Sequence, residues 1–267
     1  MMIQIAQGFE TLRGLVERLG AGQLPEGAVC IYPGRRNQLY RFNTPEGDMV
    51  VKRFGKPSLV NSLIYTTLRK SKAARSFLNS LHLRRLGINV PEPVAYGECR
   101  KGRRLHESFY LCRAVEGDTL RFYEMRHDCD DMLAALAREM LRFHLLGVQH
   151  KDFSPGNIIV ERCRKGVYRF NYVDLNRMAF GVDDTERQME MFSRVNYSLM
   201  HTLRLARAYA AQNDFAGLFP LLRPGALVFG GEERILAGAE STYMRFWHGK
   251  ARKRRLKRLL RRLLCRK

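Results

Sequence analysis

His150-Lys151-Asp152-Phe153-Ser154-Pro155-Gly156-Asn157 is the stretch on which the fold turns. It is followed by the apolar run Ile158-Ile159-Val160, a polar turn around residues 164–166, and Tyr172-Val173-Asp174-Leu175-Asn176. That order sets a carboxylate, a carboxamide and a second carboxylate on loops joined by a β-hairpin. Asp152 precedes Asn157 by five residues, and Asp174 follows one hairpin later. A carboxylate can take the proton of a hydroxyl nucleophile, and oxygen donors from Asn and Asp suit a hard divalent cation such as Mg2+. Taken alone, Asp152 with Asn157 is equally an ordinary Asx turn.

Upstream, Met49-Val50-Val51-Lys52 reads as a strand ending in a lysine. A strand lysine, then Asp152, then Asn157, then Asp174 is the order of the kinase phosphoryl-transfer machinery. There the lysine grips the ATP phosphates and the first aspartate accepts the acceptor hydroxyl's proton; the asparagine and second aspartate hold Mg2+, which neutralises charge on the β- and γ-phosphates. By itself Lys52 is more readily a surface lysine at a strand end. Four elements in register, not any one of them, carry the assignment.

The rest of the chain fits that frame. Its 267 residues suffice for one domain or two small lobes. With 45% hydrophobic and 27% charged residues, it is neither disordered nor a low-complexity fibre. Residues 28–54 read as hairpin strands, with the apolar and aromatic runs Val29-Cys30-Ile31-Tyr32 and Met49-Val50-Val51 separated by Pro33-Gly34 and Thr44-Pro45-Glu46-Gly47-Asp48. Residues 62–86 are helix-compatible and end at Gly87, and Pro91 and Pro93 then lead into a strand pair whose second member holds Phe109-Tyr110-Leu111-Cys112. Beyond Gly117 the periodicity becomes helical, with amphipathic helices predicted over 131–146 and 187–211. The predicted fold class is α+β and two-lobed: an antiparallel-sheet N-lobe with one helix over 1–114, a mainly helical C-lobe over 115–248, and a basic amphipathic helix over 249–267.

Six scattered cysteines, Cys30, Cys99, Cys112, Cys129, Cys163 and Cys265, form no Cys-x-x-Cys pair, which indicates neither a zinc site nor a disulfide framework and fits a reducing compartment. Residues 1–10 lack the pattern of a secretory signal, and the longest uncharged run, residues 57–68, is too short to cross a membrane.

This chain resembles the lipopolysaccharide core sugar kinases of the Kdo and heptose type, within the protein-kinase-like superfamily. The resemblance runs over nearly the whole chain. It is carried by Gly34-Arg35-Arg36-Asn37, Val50-Val51-Lys52-Arg53-Phe54, Arg69-Lys70-Ser71-Lys72-Ala73, Gly87-Ile88-Asn89-Val90-Pro91-Glu92-Pro93, the 150–157 loop and Asp174-Leu175-Asn176-Arg177-Met178. It implies ATP- and Mg2+-dependent phosphorylation of an inner-core sugar hydroxyl on a lipid A-linked saccharide, at the cytoplasmic face of a Gram-negative inner membrane. Carried over position by position, Asp152 is the base, Asn157 and Asp174 are the Mg2+ ligands, Lys52 is the phosphate clamp and His150 orients the loop. Cys112-Arg113-Ala114-Val115-Glu116-Gly117-Asp118 is the hinge, with the Arg113 and Val115 backbone at adenine and Asp118 or Thr119 near the ribose. The same residues would serve a plain strand-to-helix connection. Gly34 to Asn37 takes the phosphate-loop position with one glycine, where Arg35 or Arg36 meets phosphate or solvent.

One departure stands out. Kinases pair the strand lysine with a glutamate on the following helix, yet no Asp or Glu lies between Asp48 and Glu92. The glutamate's place falls near Leu78, where Ser76, Asn79 and Ser80 are the polar residues, so a partner for Lys52 is sought in Glu92 or Glu98. The same gap motivates a second hypothesis, a kinase-fold pseudoenzyme or scaffold in envelope biogenesis; a protein or small-molecule kinase is a third.

Charge points to the partner. Lys and Arg number 47 against 26 acids, a net +21, which calls for a polyanion: nucleic acid, an anionic membrane or a phosphorylated substrate. Residues 249–267 hold eleven Lys or Arg and no acid, with Leu256, Leu259, Leu260, Leu263 and Leu264 on one helical stripe. Such a helix suits an anionic membrane surface; the competing fate is packing of its leucines on the domain. Residues 52–104 add thirteen Lys or Arg against two acids, with Arg69, Lys70, Lys72 and Arg75 as a candidate polyanion face. No nucleic-acid partner is expected, since no zinc finger, helix-turn-helix or aromatic-plus-basic pattern accompanies the charge.

Overall fold

The computed structural model describes residues 1–34, 37–57, 70–102, 104–123, 130–195, 198–213 and 231–264. Arg35, Arg36, Arg69, residues 62–69 of the expected helix, Cys129 and Cys265 lie outside the described residues, as do the side chains of Leu259, Leu260, Leu263 and Leu264. The chain divides into two compact units, Met1–Glu116 with Asn171–Arg177, and Gly117–Phe170 with Met178–Lys267.

The first unit is built on a six-stranded antiparallel sheet. Its strands are β1 (Met2–Ile5), β2 (Val29–Pro33), β3 (Asn37–Thr44), β4 (Gly47–Phe54), β5 (Pro93–Lys101) and β6 (Arg104–Arg113), ordered β1-β5-β6-β4-β3-β2. Alternation in β4 sorts its side chains between two cores, because successive residues point to opposite faces. Met49 and Val51 join Phe109, Leu111 and Ala95 under helix α1 (Arg13–Gly20), whose Leu15, Val16 and Leu19 sit at helical spacing. Val50 and Phe54 join Tyr96, Tyr110 and Cys112 under helix α2 (Lys72–Arg85), which contributes Ala73, Ala74 and Phe77. Fully burying a side chain such as Val51 or Leu111 contributes about 1.5–3 kcal/mol. Lys52 therefore shares the α2 face of the sheet, and its Nζ lies 5.4 Å from the centre of the Phe54 ring.

Two local features differ from the sequence expectations in this unit. Helix α1 is a second helix beside the one predicted. Helix α2 starts at Lys72, because the Ser71 side chain caps it by accepting the Ala74 N–H at 3.1 Å. It stops at Arg85, where Leu86 is the C-cap and Gly87 follows at φ 72°.

The second unit opens at Gly117, with φ 115°, where a Cβ would stand 2.4 Å from the Val160 carbonyl oxygen. Only glycine allows that approach, and it lets β7 (Asp118–Thr119) pair with β9 (Ile158–Arg164), which also pairs with β10 (Val167–Tyr172). A second small ladder joins β8 (Val148–His150) to β11 (Met178–Phe180). The helices are α3 (Leu120–Tyr123), α4 (Asp130–Leu145), α5 (Thr185–Met189), α6 (Phe192–Val195), α7 (Leu199–Asn213) and α8 (Gly231–Leu264). Helix α4 packs on α7, and α6 and α7 pack on α8. The single helix expected over 187–211 is three: Asp184 caps α5 through the Glu186 N–H, and Ser198 starts α7 by accepting the His201 N–H at 3.2 Å. The basic tail is the distal half of α8, continuous with a proximal half that buries Ile235, Ala239 and Thr242.

Candidate active site

In the first unit, Lys52 and Asp174, 122 residues apart, meet side chain to side chain: Nζ lies 2.5 Å from Oδ1, with the side chains 14% and 24% exposed. Asp174 is the one described non-glycine residue at positive φ, 57°, a left-handed conformation that costs an ordinary residue about 1 kcal/mol and that Asp tolerates best after Asn. Its Oδ1 also accepts from Asn176 Nδ2 at 2.5 Å. The 3-10 turn Leu175–Arg177 packs on α2, and Asn79 Nδ2 donates to the Leu175 carbonyl at 2.6 Å. Helix α2 thus reaches the Asp174 turn through an amide rather than reaching Lys52 through a carboxylate.

That arrangement corrects the expected partners of Lys52. Glu92 is engaged by Arg84 and Arg113, each at 3.0 Å, and Glu98 is buried with Arg100 at 2.8 Å. Of the other polar residues near the missing glutamate, Ser80 bonds the Tyr110 hydroxyl at 2.8 Å, and the Ser76 hydroxyl is buried without a hydrogen-bond partner among the described residues. Tyr110 and Cys112 line the same buried patch; burial raises both, the Cys112 thiol to about 12.

In the second unit, the 150–157 loop is held by its own backbone. His150 is buried, and its Nδ1 accepts the Asp152 N–H at 3.1 Å, so its proton sits on Nε2. Phe153 is fully buried against Phe143 and His150, pinning the loop to α4. The Asp152 carbonyl accepts from the Ser154 N–H at 2.7 Å and from Asn157 Nδ2 at 2.9 Å. The last bond brings the two ends of the five-residue spacing together. It also commits the Asn157 amide nitrogen, leaving the oxygen as its metal-competent atom. Each taken by itself, the Asn157 amide oxygen in this unit and the Asp174 carboxylate in the first is a hard oxygen donor of the kind Mg2+ takes, not a soft-metal ligand.

Sequence reading missed Arg194. On α6, its Nη1 lies 3.7 Å from Asp152 Oδ1, and its guanidinium carbon lies 5.0 Å from the centre of the Phe246 ring on α8. Nothing in the sequence separates this cation from the other Lys and Arg residues; only the fold brings it beside Asp152.

The hinge residues are placed as follows. The Arg113 N–H is taken by the Glu92 carbonyl at 2.9 Å and the Ala114 N–H by the Asp48 carbonyl at 2.8 Å. The Arg113 guanidinium is occupied by Glu92, the Glu46 carbonyl and the Phe9 ring. Val115 is half-buried, and Asp118 is exposed on β7. Of the basic face, Lys70 is exposed, while Lys72 and Arg75 are half-buried on the first turn of α2.

Comparison with known proteins bears on the whole constellation. Residues 51–216, more than half of the chain, match the model of the lipopolysaccharide kinase (Kdo/WaaP) family, and that span contains Lys52, Asp152, Asn157 and Asp174. A 3-deoxy-D-manno-octulosonic acid kinase of Vibrio cholerae serotype O1 is 27% identical over 114 residues, 42% of this chain; the match spans about half, 48%, of that relative's length. Among solved structures, WaaP in complex with acyl carrier protein is similar in fold, with a TM-score of 0.57 at 17% identity, over 92% of this chain and 99% of that one. The expected kinase-like architecture is therefore the one observed, and the chain belongs to the lipopolysaccharide kinase (Kdo/WaaP) family.

Proposed function

We propose that this protein is an ATP- and Mg2+-dependent kinase that phosphorylates a sugar hydroxyl, of Kdo or heptose, in the lipopolysaccharide inner core. The observation that carries this is the pairing of Lys52 with Asp174 at 2.5 Å: two residues assigned to phosphate and metal by separate motifs meet in one place. Asp152 accepts the acceptor hydroxyl's proton as the hydroxyl oxygen bonds the γ-phosphorus and the bond from that phosphorus to the β–γ bridging oxygen breaks, releasing ADP. Asn157 and Asp174 are the residues that would hold Mg2+, which would supply charge neutralisation for the transferring phosphates. Lys52, held beside Asp174, is the phosphate clamp. The Arg113 N–H being spent, adenine is met by the Arg113 carbonyl and the Val115 peptide, with Asp118 near the ribose.

The acceptor is a lipid A-linked saccharide, and the protein works at the cytoplasmic face of a Gram-negative inner membrane. What supports this placement is the distal half of α8, where Arg252, Lys253, Arg254 and Arg255 are all exposed, a charge density that anionic headgroups attract. No described helix is long and apolar enough to cross a membrane.

The test is transfer of label from γ-labelled ATP to deacylated core and to a Kdo-lipid acceptor, comparing wild type with Asp152→Ala. Label on the saccharide that disappears in the variant is the expected result. A second reading, a pseudoenzyme, is favoured by the acid-free α2 and by an aspartate in place of a glutamate on Lys52. ATP-dependent thermal stabilisation with no transfer to any acceptor would select it.

A further inference from the structure

We infer that Arg194 is a specificity-determining residue that binds an anionic group, carboxylate or phosphate, on the same sugar that presents the reacting hydroxyl to Asp152. This rests on the kinase reading and narrows its acceptor to an acidic sugar.

The geometry carries it. Arg194 Nη1 lies 3.7 Å from Asp152 Oδ1, close enough for attraction yet beyond the 2.7–3.2 Å of a hydrogen bond. The guanidinium does not form the bidentate fork that a structural Arg–Asp pair adopts. Its described side-chain partners are that long ion pair and the Phe246 ring at 5.0 Å. An arginine packed on a ring keeps its in-plane N–H donors for a planar or tetrahedral oxyanion. At 31% exposure it is reachable and partly desolvated, where such a contact is stronger than at an open surface.

The position follows from distance. A hydroxyl bonded to Asp152 and an oxyanion bonded to Arg194 are held only a few ångströms apart, within the span of a single sugar residue. Electrostatics asks for the same residue: an acidic acceptor approaching the Asp152 carboxylate is repelled unless a cation stands beside it, and Arg194 is a described cation there. Phe246 holds it from the other side. Lys250 also packs on Phe246, at 5.4 Å, and on Trp247, at 4.3 Å, closing the cluster on α8.

Trp247 is the chain's one tryptophan and its ring centre is 5.5 Å from that of Phe246, so its fluorescence reports on the cluster. The experiment titrates full-length protein, without ATP, with four probes: a 3-deoxy-octulosonic acid glycoside, its carboxyl-reduced alcohol, a heptose phosphate and the unphosphorylated heptose. Wild type is expected to prefer one acidic probe over its neutral twin by about tenfold or more, the range of a hydrogen bond to a charged group; which pair discriminates identifies carboxylate or phosphate as the source. Arg194→Gln is expected to bring that ratio to about 1, and Arg207→Gln, a charge control on exposed α7 surface, to leave it unchanged. No preference in wild type, or a preference that survives Arg194→Gln, overturns the proposal. If Arg194→Gln does not fold, Arg194→Leu decides: it keeps apolar packing on Phe246 without the charge, so an unaltered ratio overturns the proposal and a ratio near 1 supports it. Failure of the kinase reading would show separately, as absence of label transfer by wild type that still discriminates the acidic probe.

Discussion

Lys52 Nζ and Asp174 Oδ1 lie 2.5 Å apart, and the aspartate makes that contact from a left-handed backbone, φ 57°. Both residues belong to the first unit, so the cation on β4 and the carboxylate after β10 are locked by packing within one body. Asn176 and Asn79 brace the turn from either side. A helix glutamate would draw Lys52 toward α2; here α2 instead grips the turn that carries the lysine's partner.

Lys52→Met should lower phosphoryl transfer on the order of 100-fold, the scale of removing one preorganised electrostatic contact, and should destabilise the fold by leaving Asp174 without its cation. Adding Asp174→Asn should recover thermal stability but no activity. A double-mutant cycle on the melting temperature reads the coupling, and simple additivity would mean that the pair contributes nothing.

Asn79→Ala removes the donor to the Leu175 carbonyl and should cost about 1–3 kcal/mol, because a partly buried acceptor is left unsatisfied. In a chain of this size that is a fall of several degrees in melting temperature. The same variant should require more Mg2+ for half-maximal transfer, since the turn bearing Asp174 is loosened. A shift in stability with an unchanged Mg2+ dependence would limit Asn79 to a structural role.

That Asp152 and Asn157 meet was legible because they are close in sequence. The strand of Lys52 was legible from the apolar run Met49-Val50-Val51 that leads to it, and α4 was placed to within one residue from its apolar spacing. The partner of Lys52 was not, because the contact spans 122 residues and no local signal encodes it; the search stopped at Glu92 and Glu98, which arginines occupy. The breaks between α5, α6 and α7 escaped because they come without Gly or Pro: Ser198 supplies the cap, and the apolar periodicity runs on across it. Helix α1 was overlooked although Leu12, Leu15, Val16 and Leu19 carry its period.

Acid should destabilise the protein through His144. Fully buried, with Nδ1 2.8 Å from the Tyr209 hydroxyl, its imidazole is pushed down to about 3 by desolvation, from 6.5. The folded value lies below the unfolded one, so the unfolded chain takes the proton first. Stability is complete above pH 6.5 and declines toward pH 3 by about 1.4 kcal/mol per pH unit. Unfolding free energies from urea titrations at pH 7.5 and 5.0 should differ by roughly 2 kcal/mol more in wild type than in His144→Phe. An equal difference in both would exclude His144 as the source.

Replacing Arg252, Lys253, Arg254 and Arg255 together with Gln should reduce binding to vesicles containing phosphatidylglycerol on the order of 100-fold or more, at about 1 kcal/mol per charge. Substitution is cleaner than truncation after Trp247, which would also remove Lys250 from the rings it covers. Wild-type binding should weaken steeply with salt. Equal co-sedimentation of the two proteins would take these four residues out of the interface.

Because α8 is one unbroken helix, it is also a ruler. From Phe246, which backs Arg194, to exposed Leu256 there are ten residues of continuous helix, about 15 Å along the axis. If the proposed function holds, whatever holds the far end sets the height at which Asp152 and Arg194 meet an acceptor, and sugars linked nearer or farther are out of register. Seven residues inserted after Ala251 would keep the helical phase to about 20° and raise that height by about 10 Å, so they should redirect phosphorylation along the saccharide while leaving the chemistry intact.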